Sequence, residues 1–470
     1  MTYGERYLRL RTRRQLFRDC GVGVGKVALA TMLAREAGAA VREPHFAPRI
    51  DHVIFLSMAG APSQFELFDY KPALEKWHQQ PTPDSFLKGK RFAFMDSFTK
   101  ETPKILGPRR EFKRYGKSGL WFSDLFPHIG SVADELTMVR GIRTENFNHG
   151  PAKFFTNTGS VRPGRPSMGA WVTYGVGTMS DDLPGYVVLQ SGPRGPRGGA
   201  ALWSSGFLPT SYQGVPFRSS GDPILNLSTP EGVDGQEQKA TIDLIGDINR
   251  LELAESGDPE IQTRISQYEM AYRMQTSGPE LIDFSQESKA TLEMYGAEPG
   301  KASYANNCLL ARRLVERGVR FVQLYHADWD HHQDLGAPLE SVTKEVDQPT
   351  AALIRDLKQR GLLDRTLVIW GGEFGRTPMG EVREKGKVGR NHHIDAYTLM
   401  MAGGGLPAGT EVGETDEFGF NAAEPIHVHD VQATILHKLG LDHEKLTYKF
   451  MGRNFRLTDV GGHVIKKLVG

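Results

Sequence analysis

Histidines and carboxylates are concentrated in residues 325–335, which read YHADWDHHQDL. The densest part contains Asp328, Asp330, His331 and His332. Imidazole nitrogens and carboxylate oxygens are the donors that zinc and related divalent ions take in proteins. The residue types and their spacing therefore predict a metal site on this segment.

Three further segments carry side chains of the same kinds. They are Glu373 with Arg376, Arg390-Asn391-His392-His393, and His427-Val428-His429-Asp430. A metal site in an α/β protein draws ligands from several separate loops, so these segments are candidate partners of the first. The alternative is that each histidine pair caps a helix and hydrogen-bonds to loop backbone.

Alternating strands and helices must position these side chains. Continuous apolar runs at 52–60, 320–326, 366–375 and 397–405 predict buried strands, and amphipathic spacing predicts helices at 305–319, 349–363 and 430–440. This alternation predicts an α/β fold with a mostly parallel central sheet and helices on both faces. Ligands of such sheets bind outside the carboxyl ends of the strands, where the polar segments lie.

Composition indicates one large soluble domain over residues 41–470. The chain is 39% hydrophobic and 24% charged, and its net charge of +1 gives no indication of nucleic acid or an anionic membrane as partner. Cys20 and Cys308 are the only cysteines, which excludes a disulfide framework and a cysteine-based metal site. Residues 176–240 are rich in Gly, Pro and Ser and predict a loop, and 241–300 predict helices. Together they form an expected polar insertion at about 176–300.

The first 40 residues have the features of an export signal. They contain eight Lys or Arg against three acidic residues. Arg13 and Arg14 precede a short apolar stretch and the small residues Ala37-Gly38-Ala39, as in a twin-arginine signal. The stretch is interrupted by Lys26 and is too short for a membrane span, which needs about 20 apolar residues. We therefore expect export by the twin-arginine route to the periplasm or the cell exterior. The alternative is an ordinary basic amphipathic helix.

Several segments resemble the alkaline-phosphatase/sulfatase-like superfamily. Residues 347–375, DQPTAALIRDLKQRGLLDRTLVIWGGEFG, look like its helix, Gly-Leu-x-Asp-x-Thr turn and strand, with Glu373-Phe374 where an Asp-His pair binds metal. HDVQATILHKLGL (429–441) resembles a late helix of the superfamily, and HVIFLSMAG (52–60) its first strand. These segments cover most of residues 50–445. The overall likeness is to an exported bacterial branch, a domain of unknown function that typically begins with a twin-arginine signal.

The resemblance implies an alkaline-phosphatase-like fold and a two-metal hydrolase of phosphate or sulfate esters. The positions of its first metal (Zn, Ca, Mg or Mn) match Asp328 or Asp330, His331 or His332, and His392 or His393. At the second metal site of the superfamily, Glu373 is the one carboxylate that this sequence keeps. The aspartate expected at the end of the first strand is replaced by Ala59. Ser63, Glu66 and Asp69 are candidate replacement ligands from the loop that follows.

The nucleophile position of the superfamily falls near His149 in NFNHGPAKFFTNTG (146–159). Lys153 matches the basic residue of the sulfatase pattern, but the Cys or Ser of that pattern is missing. His149 is a candidate metal ligand, acid/base or phosphohistidine, or else it hydrogen-bonds with Asn146 and Asn148. Arg376 is either an anion clamp or an ion-pair partner of Glu373.

Two functions are compatible with these residues. One is a metal-dependent hydrolase of phosphate or sulfate esters, acting on a small molecule or a polysaccharide. The other is a non-catalytic descendant that keeps part of the site to bind a metal, a ligand or a partner. The retained histidines and carboxylates favour the first, and the missing nucleophile favours the second.

Overall fold

The computed structural model of the chain describes residues 43–88, 90, 92–93, 102–221, 235–257 and 259–469, so the expected export signal lies outside the described residues. The strands, in chain order, are β1 (His52–Ala59), β2 (Phe112–Tyr115), β3 (Leu120–Ser123), β4 (Leu136–Arg143), β5 (Tyr186–Ser191), β6 (Val215–Pro216), β7 (Phe321–Ala327), β8 (Thr366–Gly371), β9 (Gly375–Glu381), β10 (Gly389–His393), β11 (Tyr397–Gly403), β12 (Thr410–Val412), β13 (Ile426–His427), β14 (Tyr448–Phe450) and β15 (Arg453–Phe455).

Helices connect and cover these strands. They are α1 (Gln64–Leu67), α2 (Pro72–Lys76), α3 (Asp84–Leu87), α4 (Pro127–Gly130), α5 (His149–Thr158), α6 (Met168–Val176), α7 (Gly235–Ser256), α8 (Pro259–Ile282), α9 (Lys289–Tyr295), α10 (Tyr304–Glu316), α11 (Ala337–Gln359), α12 (Val428–Lys438) and α13 (Lys466–Val469). Short 3-10 helices lie at Ala133–Glu135, Gly199–Trp203, Thr210–Tyr212, Phe284–Gln286 and Leu363–Arg365. Within the described residues, no helix has both the length and the apolar character needed to cross a bilayer.

The central sheet has the strand order β12-β4-β11-β8-β1-β7-β5-β6, and β13 also pairs with β4. Strand β1 is parallel to both of its neighbours, β7 and β8, and β5 is parallel to β7. Strand β11 is antiparallel to β4 and β8. This topology confirms the predicted α/β fold with a mostly parallel central sheet.

Helices cover both faces of this sheet, as predicted. Ile54 and Leu56 of β1 contribute to one core with residues of α10 and α11, whereas Val53 and Phe55 contribute to a second core with residues of α6 and α12. Successive side chains of a strand point to opposite faces. A strand buried on both faces must therefore be apolar throughout, which explains the continuous run of β1.

Two elements differ from the sequence-based expectation. Strand β5 lies inside the region expected to be loop and pairs with β7 in the central sheet, because its residues YVVLQS include β-branched and aromatic side chains. Helix α11 begins at Ala337, twelve residues before the expected start, and continues through Pro349. The apolar residues Leu339, Val346 and Leu353 are buried on both sides of this proline. Their burial offsets the free-energy cost of the backbone hydrogen bond that the proline removes.

Candidate metal centre

The carboxyl ends of β1, β7 and β8 meet at one edge of the sheet. Ala59 is paired with Ala327, and Ser57 is paired with Gly371. The next residue after β1, Gly60, has a φ of 117°, and a Cβ there would lie 2.6 Å from the backbone nitrogen of Trp329. Glycine is therefore needed for the loop after β7 to approach this closely, and that loop brings Asp330 and His332 to the sheet edge.

Four side chains converge at this edge: His149, Asp330, His332 and His392. Each offers one donor atom, and these atoms all lie within 4.8 Å of one another. Oδ1 of Asp330 lies 3.1 Å from Nε2 of His149, 3.0 Å from Nε2 of His332 and 3.3 Å from Nε2 of His392. We call these four residues the donor group; they come from α5, the loop after β7, and β10.

The other ring nitrogen of each histidine is held by an acceptor. Nδ1 of His149 lies 2.7 Å from Oε1 of Glu373, and Nδ1 of His332 lies 2.6 Å from Oε2 of Glu381. Nδ1 of His392 lies 2.6 Å from the carbonyl oxygen of Phe147. A carboxylate or a carbonyl can only accept, so each Nδ1 carries the proton and donates it. This arrangement directs Nε2 of each ring inward and is the usual support of a metal-binding imidazole.

The spacing of the inward nitrogens fits a cation. Nε2 of His332 lies 2.8 Å from Nε2 of His392. If Nδ1 carries the only proton of each ring, two lone pairs face each other, so an extra proton or a cation must lie between them. Zinc bound tetrahedrally at about 2.1 Å separates two nitrogens by about 3.4 Å, and a small expansion of the group would supply that distance.

Charges in and around the donor group are closely coupled. Burial would raise the pKa of Asp330, but its contacts with the three imidazoles and the charge of Arg376 hold it well below its usual range. Burial lowers the pKa of His392 to about 3, which leaves that ring neutral with an available lone pair. Burial also opposes the charge of His149, but hydrogen bonds to Asp330 and Glu373 outweigh it and raise the pKa of His149. A proton and a metal ion therefore compete for the His149 ring.

Arg376 and Lys153 neutralise Asp330 and Glu373, two of the carboxylates that contact the rings. Nη2 of Arg376 lies 2.8 Å from Oδ1 of Asp330, and its Nε donates to the carbonyl of Ala61 at 2.9 Å. Nζ of Lys153 lies 3.0 Å from Oε1 of Glu373. Burial would raise the pKa of Glu373, but the charges of Lys153 and His149 lower it to about 2. Arg376 thus pairs with Asp330 and not with Glu373, and its buried guanidinium positions Asp330.

Residues 50–469 match the family described as "Protein of unknown function (DUF1501)". The chain belongs to the DUF1501 family. Comparison with curated proteins gives no match.

Several solved structures are similar to this DUF1501 chain. The PsFucS1 sulfatase from Pseudoalteromonas sp. is 14% identical, with 89% of this chain and 72% of that chain covered and a TM-score of 0.34. The phosphonate monoester hydrolase SpPMH from Silicibacter pomeroyi is 12% identical, with 84% and 73% covered and a TM-score of 0.32. A protein in the alkaline phosphatase superfamily from Vibrio parahaemolyticus is 9% identical, with 87% and 74% covered and a TM-score of 0.34.

Three of the expected metal ligands lie outside the donor group of this DUF1501 protein. Asp328 forms an ion pair with Arg194. His331 lines a neighbouring cavity, and burial lowers its pKa to about 4. Nε2 of His393 lies 2.6 Å from the carbonyl oxygen of Phe420, and the two rings stack with centroids 4.6 Å apart. A fourth expected ligand, Glu373, contacts the group only through His149.

The candidate replacement ligands are engaged elsewhere. Ser63 donates to Glu66, which forms a fully buried ion pair with Arg390, and Asp69 pairs with Arg140 at 2.8 Å. His427 caps α12 and contacts Glu145, and His429 contacts the carbonyl of Gly159. The helix-capping alternative therefore describes the His427–His429 pair. Among the described residues, the donor group is the one cluster of this composition.

Sequence reasoning missed Glu381, Arg194 and Arg197. Glu381 lies at the end of β9, which pairs with β10, and it was hidden because no strand was expected over residues 375–381. Arg194 and Arg197 line a small cavity together with His149, Lys153 and Asp330. Their signal is the repeated Gly-Pro-Arg of SGPRGPRGGA, which directly follows the apolar run of β5.

Proposed function

We propose that this chain is a metal-dependent hydrolase of phosphate or sulfate esters, with one divalent ion held by the donor group. The observation that carries this proposal is the convergence of three imidazole nitrogens on the Asp330 carboxylate, each ring being anchored through Nδ1. A divalent ion bound there would supply Lewis-acid stabilisation of developing negative charge. The resemblance of residues 347–375 and 429–441 to segments of the sulfatase-like superfamily supports the ester class.

The charge balance of the site favours an anionic substrate. Asp330 is paired with Arg376, and Glu373 is paired with Lys153. Glu381 is paired with Arg383 at 2.9 Å. With neutral imidazoles the site has little net charge, so a divalent ion would leave it with an excess of positive charge. We infer that a phosphoryl or sulfuryl group would be attracted to this excess.

His149 would orient the ion that the donor group holds. Its Nδ1 is fixed by Glu373, its Nε2 lies 3.1 Å from Oδ1 of Asp330, and the residue lines a small cavity beside the donor group. A carboxylate that anchors an imidazole in this way keeps one tautomer and leaves the other nitrogen for the ion. Lys153 lines the same cavity and holds Glu373 in its ionised form.

One observation favours the non-catalytic alternative. The residues that line the small cavity are Ala59, Gly60, His149, Lys153, Arg194, Gly195, Pro196, Arg197, Ala327, Asp328 and Asp330. None of these lining residues carries a hydroxyl or a thiol, so a serine, threonine or cysteine nucleophile is not at hand. A binding protein that retains a metal and has lost the reaction would have the same lining.

The substrate proposed here is a small-molecule or polysaccharide ester, in line with the resemblance. The test is a panel of aryl phosphates, aryl sulfates and phosphodiesters incubated with the metal-loaded protein. We expect hydrolysis of one of these classes, loss of that activity in His149→Ala, and full activity in the control His463→Ala, which alters an exposed histidine. Stoichiometric metal without hydrolysis of any class would favour the non-catalytic alternative instead.

A further inference from the structure

We propose that Arg194 and Arg197 form a binding site for a tetrahedral oxyanion, and that the anion displaces Asp328, which forms an ion pair with Arg194 in its absence. The inference deepens the proposed function, on which it rests, by assigning the residues that hold the anionic group of the substrate. Phosphate and sulfate are both tetrahedral oxyanions, and arginine side chains can bind either of them.

The loop that carries both arginines starts at the correct edge of the sheet. Strand β5 is parallel to β7, and its last residue, Ser191, is paired with His326. The loop after β5 therefore leaves the sheet next to the loop that carries Asp328 and Asp330. Arg194 and Arg197 consequently line the small cavity with His149 and Lys153, which brings three cationic side chains to one side of the donor group.

Asp328 now provides the anion for Arg194. Oδ2 of Asp328 forms an ion pair with Nη2 of Arg194, and the side chains are 36% and 45% exposed. An ion pair exposed to this degree adds little to stability, so a competing anion can replace the carboxylate at small cost. The planar guanidinium forms paired hydrogen bonds with phosphate oxygens as readily as with a carboxylate, and two neighbouring arginines can bind several oxygens of one tetrahedral anion.

The small cavity is too small for a tetrahedral anion while Asp328 is paired with Arg194. The small cavity has a volume of about 10 Å³, which is the space for about one water molecule. Asp328 also lines the neighbouring cavity, which has a volume of about 860 Å³. Asp328 thus lies between the two cavities, and opening of its ion pair with Arg194 would join them. The larger cavity falls within the size range of small-molecule sites and would receive the organic part of an ester whose anionic group lies at the arginines.

The experiment is a calorimetric titration of inorganic phosphate, and separately of sulfate, into the full chain in metal-loaded and metal-free form. The variants are Arg194→Ala, Arg197→Ala and Asp328→Asn, and the matched control is Arg162→Ala, which removes an exposed arginine of another Gly- and Pro-rich loop. All four substituted side chains are exposed or half-buried, so unchanged melting temperatures are expected and would show intact folding.

We expect each arginine variant to bind the anion about ten- to a hundredfold more weakly, as for the loss of a charged hydrogen bond. Asp328→Asn should bind it about two- to fivefold more tightly, because the internal competitor is gone, and should keep the metal stoichiometry of the wild type. Preference for phosphate or for sulfate in the wild type identifies which anion the site takes.

Equal anion affinity in Arg194→Ala and Arg162→Ala would overturn the inference, and so would metal-loaded wild type that binds neither anion. Loss of bound metal in Asp328→Asn would also overturn it, because Asp328 would then be a ligand. None of these results requires the hydrolase to be inactive. A wild-type protein that takes up no metal contradicts the proposed function instead, and the metal-free titration still tests the arginines.

Discussion

At the residue scale, each adjacent histidine pair places one ring in the donor group and the other ring outside it. His392 and His393 are successive residues of β10, so their side chains must point to opposite sides of the strand. His392 meets Asp330, and His393 meets Phe420. The sequence predicts that one member of the pair can serve as a ligand, but the choice depends on which side of β10 faces the sheet edge.

Glu381 is expected to control metal affinity without touching the metal, because it holds Nδ1 of His332 at 2.6 Å. Replacing Glu381 by Gln keeps the size of the side chain and removes the charge that fixes the ring. Substitutions of this kind typically weaken metal binding about 10- to 100-fold. Competition with a chelating dye measures the change. The matched control is Glu384→Gln, which alters an exposed carboxylate paired with Lys387, and equal affinities in the two variants would contradict the role of Glu381.

His326 is expected to make stability depend on pH. Burial lowers its pKa from 6.5 to about 4, so the unfolded chain binds a proton more readily than the folded one in this interval. The unfolding free energy therefore keeps its full value above pH 6.5. It decreases as the pH falls towards 4, by up to about 1.4 kcal/mol per pH unit. His326→Asn removes this titrating group. Its unfolding free energy should therefore fall less steeply between these pH values, by up to about 1.4 kcal/mol per pH unit, the contribution of one proton. Urea titrations at several pH values measure it, and identical slopes would refute the assignment.

At the element scale, the carboxyl ends of parallel strands bring separate segments together. The sequence predicts β1, β7 and β8, because strands buried on both faces are apolar throughout, and it therefore predicts that Asp330 and Glu373 lie at a common edge. It does not predict β5, whose apolar run is flanked by Gly and Pro, nor the β9–β10 hairpin that carries Glu381 and His392. Those pairings depend on contacts between residues far apart in the chain, and local patterns do not contain them.

Helix α5 positions His149 and Lys153, and its end at Gly159 is expected to be sensitive to substitution. Gly159 has a φ of 67°, and a Cβ there would lie 1.8 Å from the carbonyl oxygen of Leu457. Gly159→Ala should therefore cost more than about 2 kcal/mol of unfolding free energy, from the left-handed backbone and the displaced carbonyl together. Gly150 of the same helix has open space around its Cα, so Gly150→Ala should be neutral or slightly stabilising. Thermal unfolding compares the two, and similar losses would contradict this account of the helix end.

At the scale of the whole molecule, two apolar cores stabilise the sheet from both faces, and the donor group lies at one edge of the sheet.

The proposed site of action is outside the cytoplasm. Expression of the full chain in a bacterium that has the twin-arginine pathway should yield a periplasmic or secreted protein that begins near Ala39 or Ala40. Lysine substitutions at both Arg13 and Arg14 should retain it in the cytoplasm, uncleaved. Fractionation with N-terminal sequencing checks this, and an uncleaved cytoplasmic wild type would contradict the export signal.

The donor group is the central claim, and metal stoichiometry tests it most directly. Elemental analysis of the purified protein after loading with a divalent ion should be made for wild type, His392→Ala and His393→Ala, with melting temperatures to confirm folding. The structure predicts one ion per chain in wild type and in His393→Ala, and none in His392→Ala, although the two histidines are adjacent in sequence. A wild-type protein that binds no ion under any loading condition, or loss of the ion in His393→Ala alone, would contradict it.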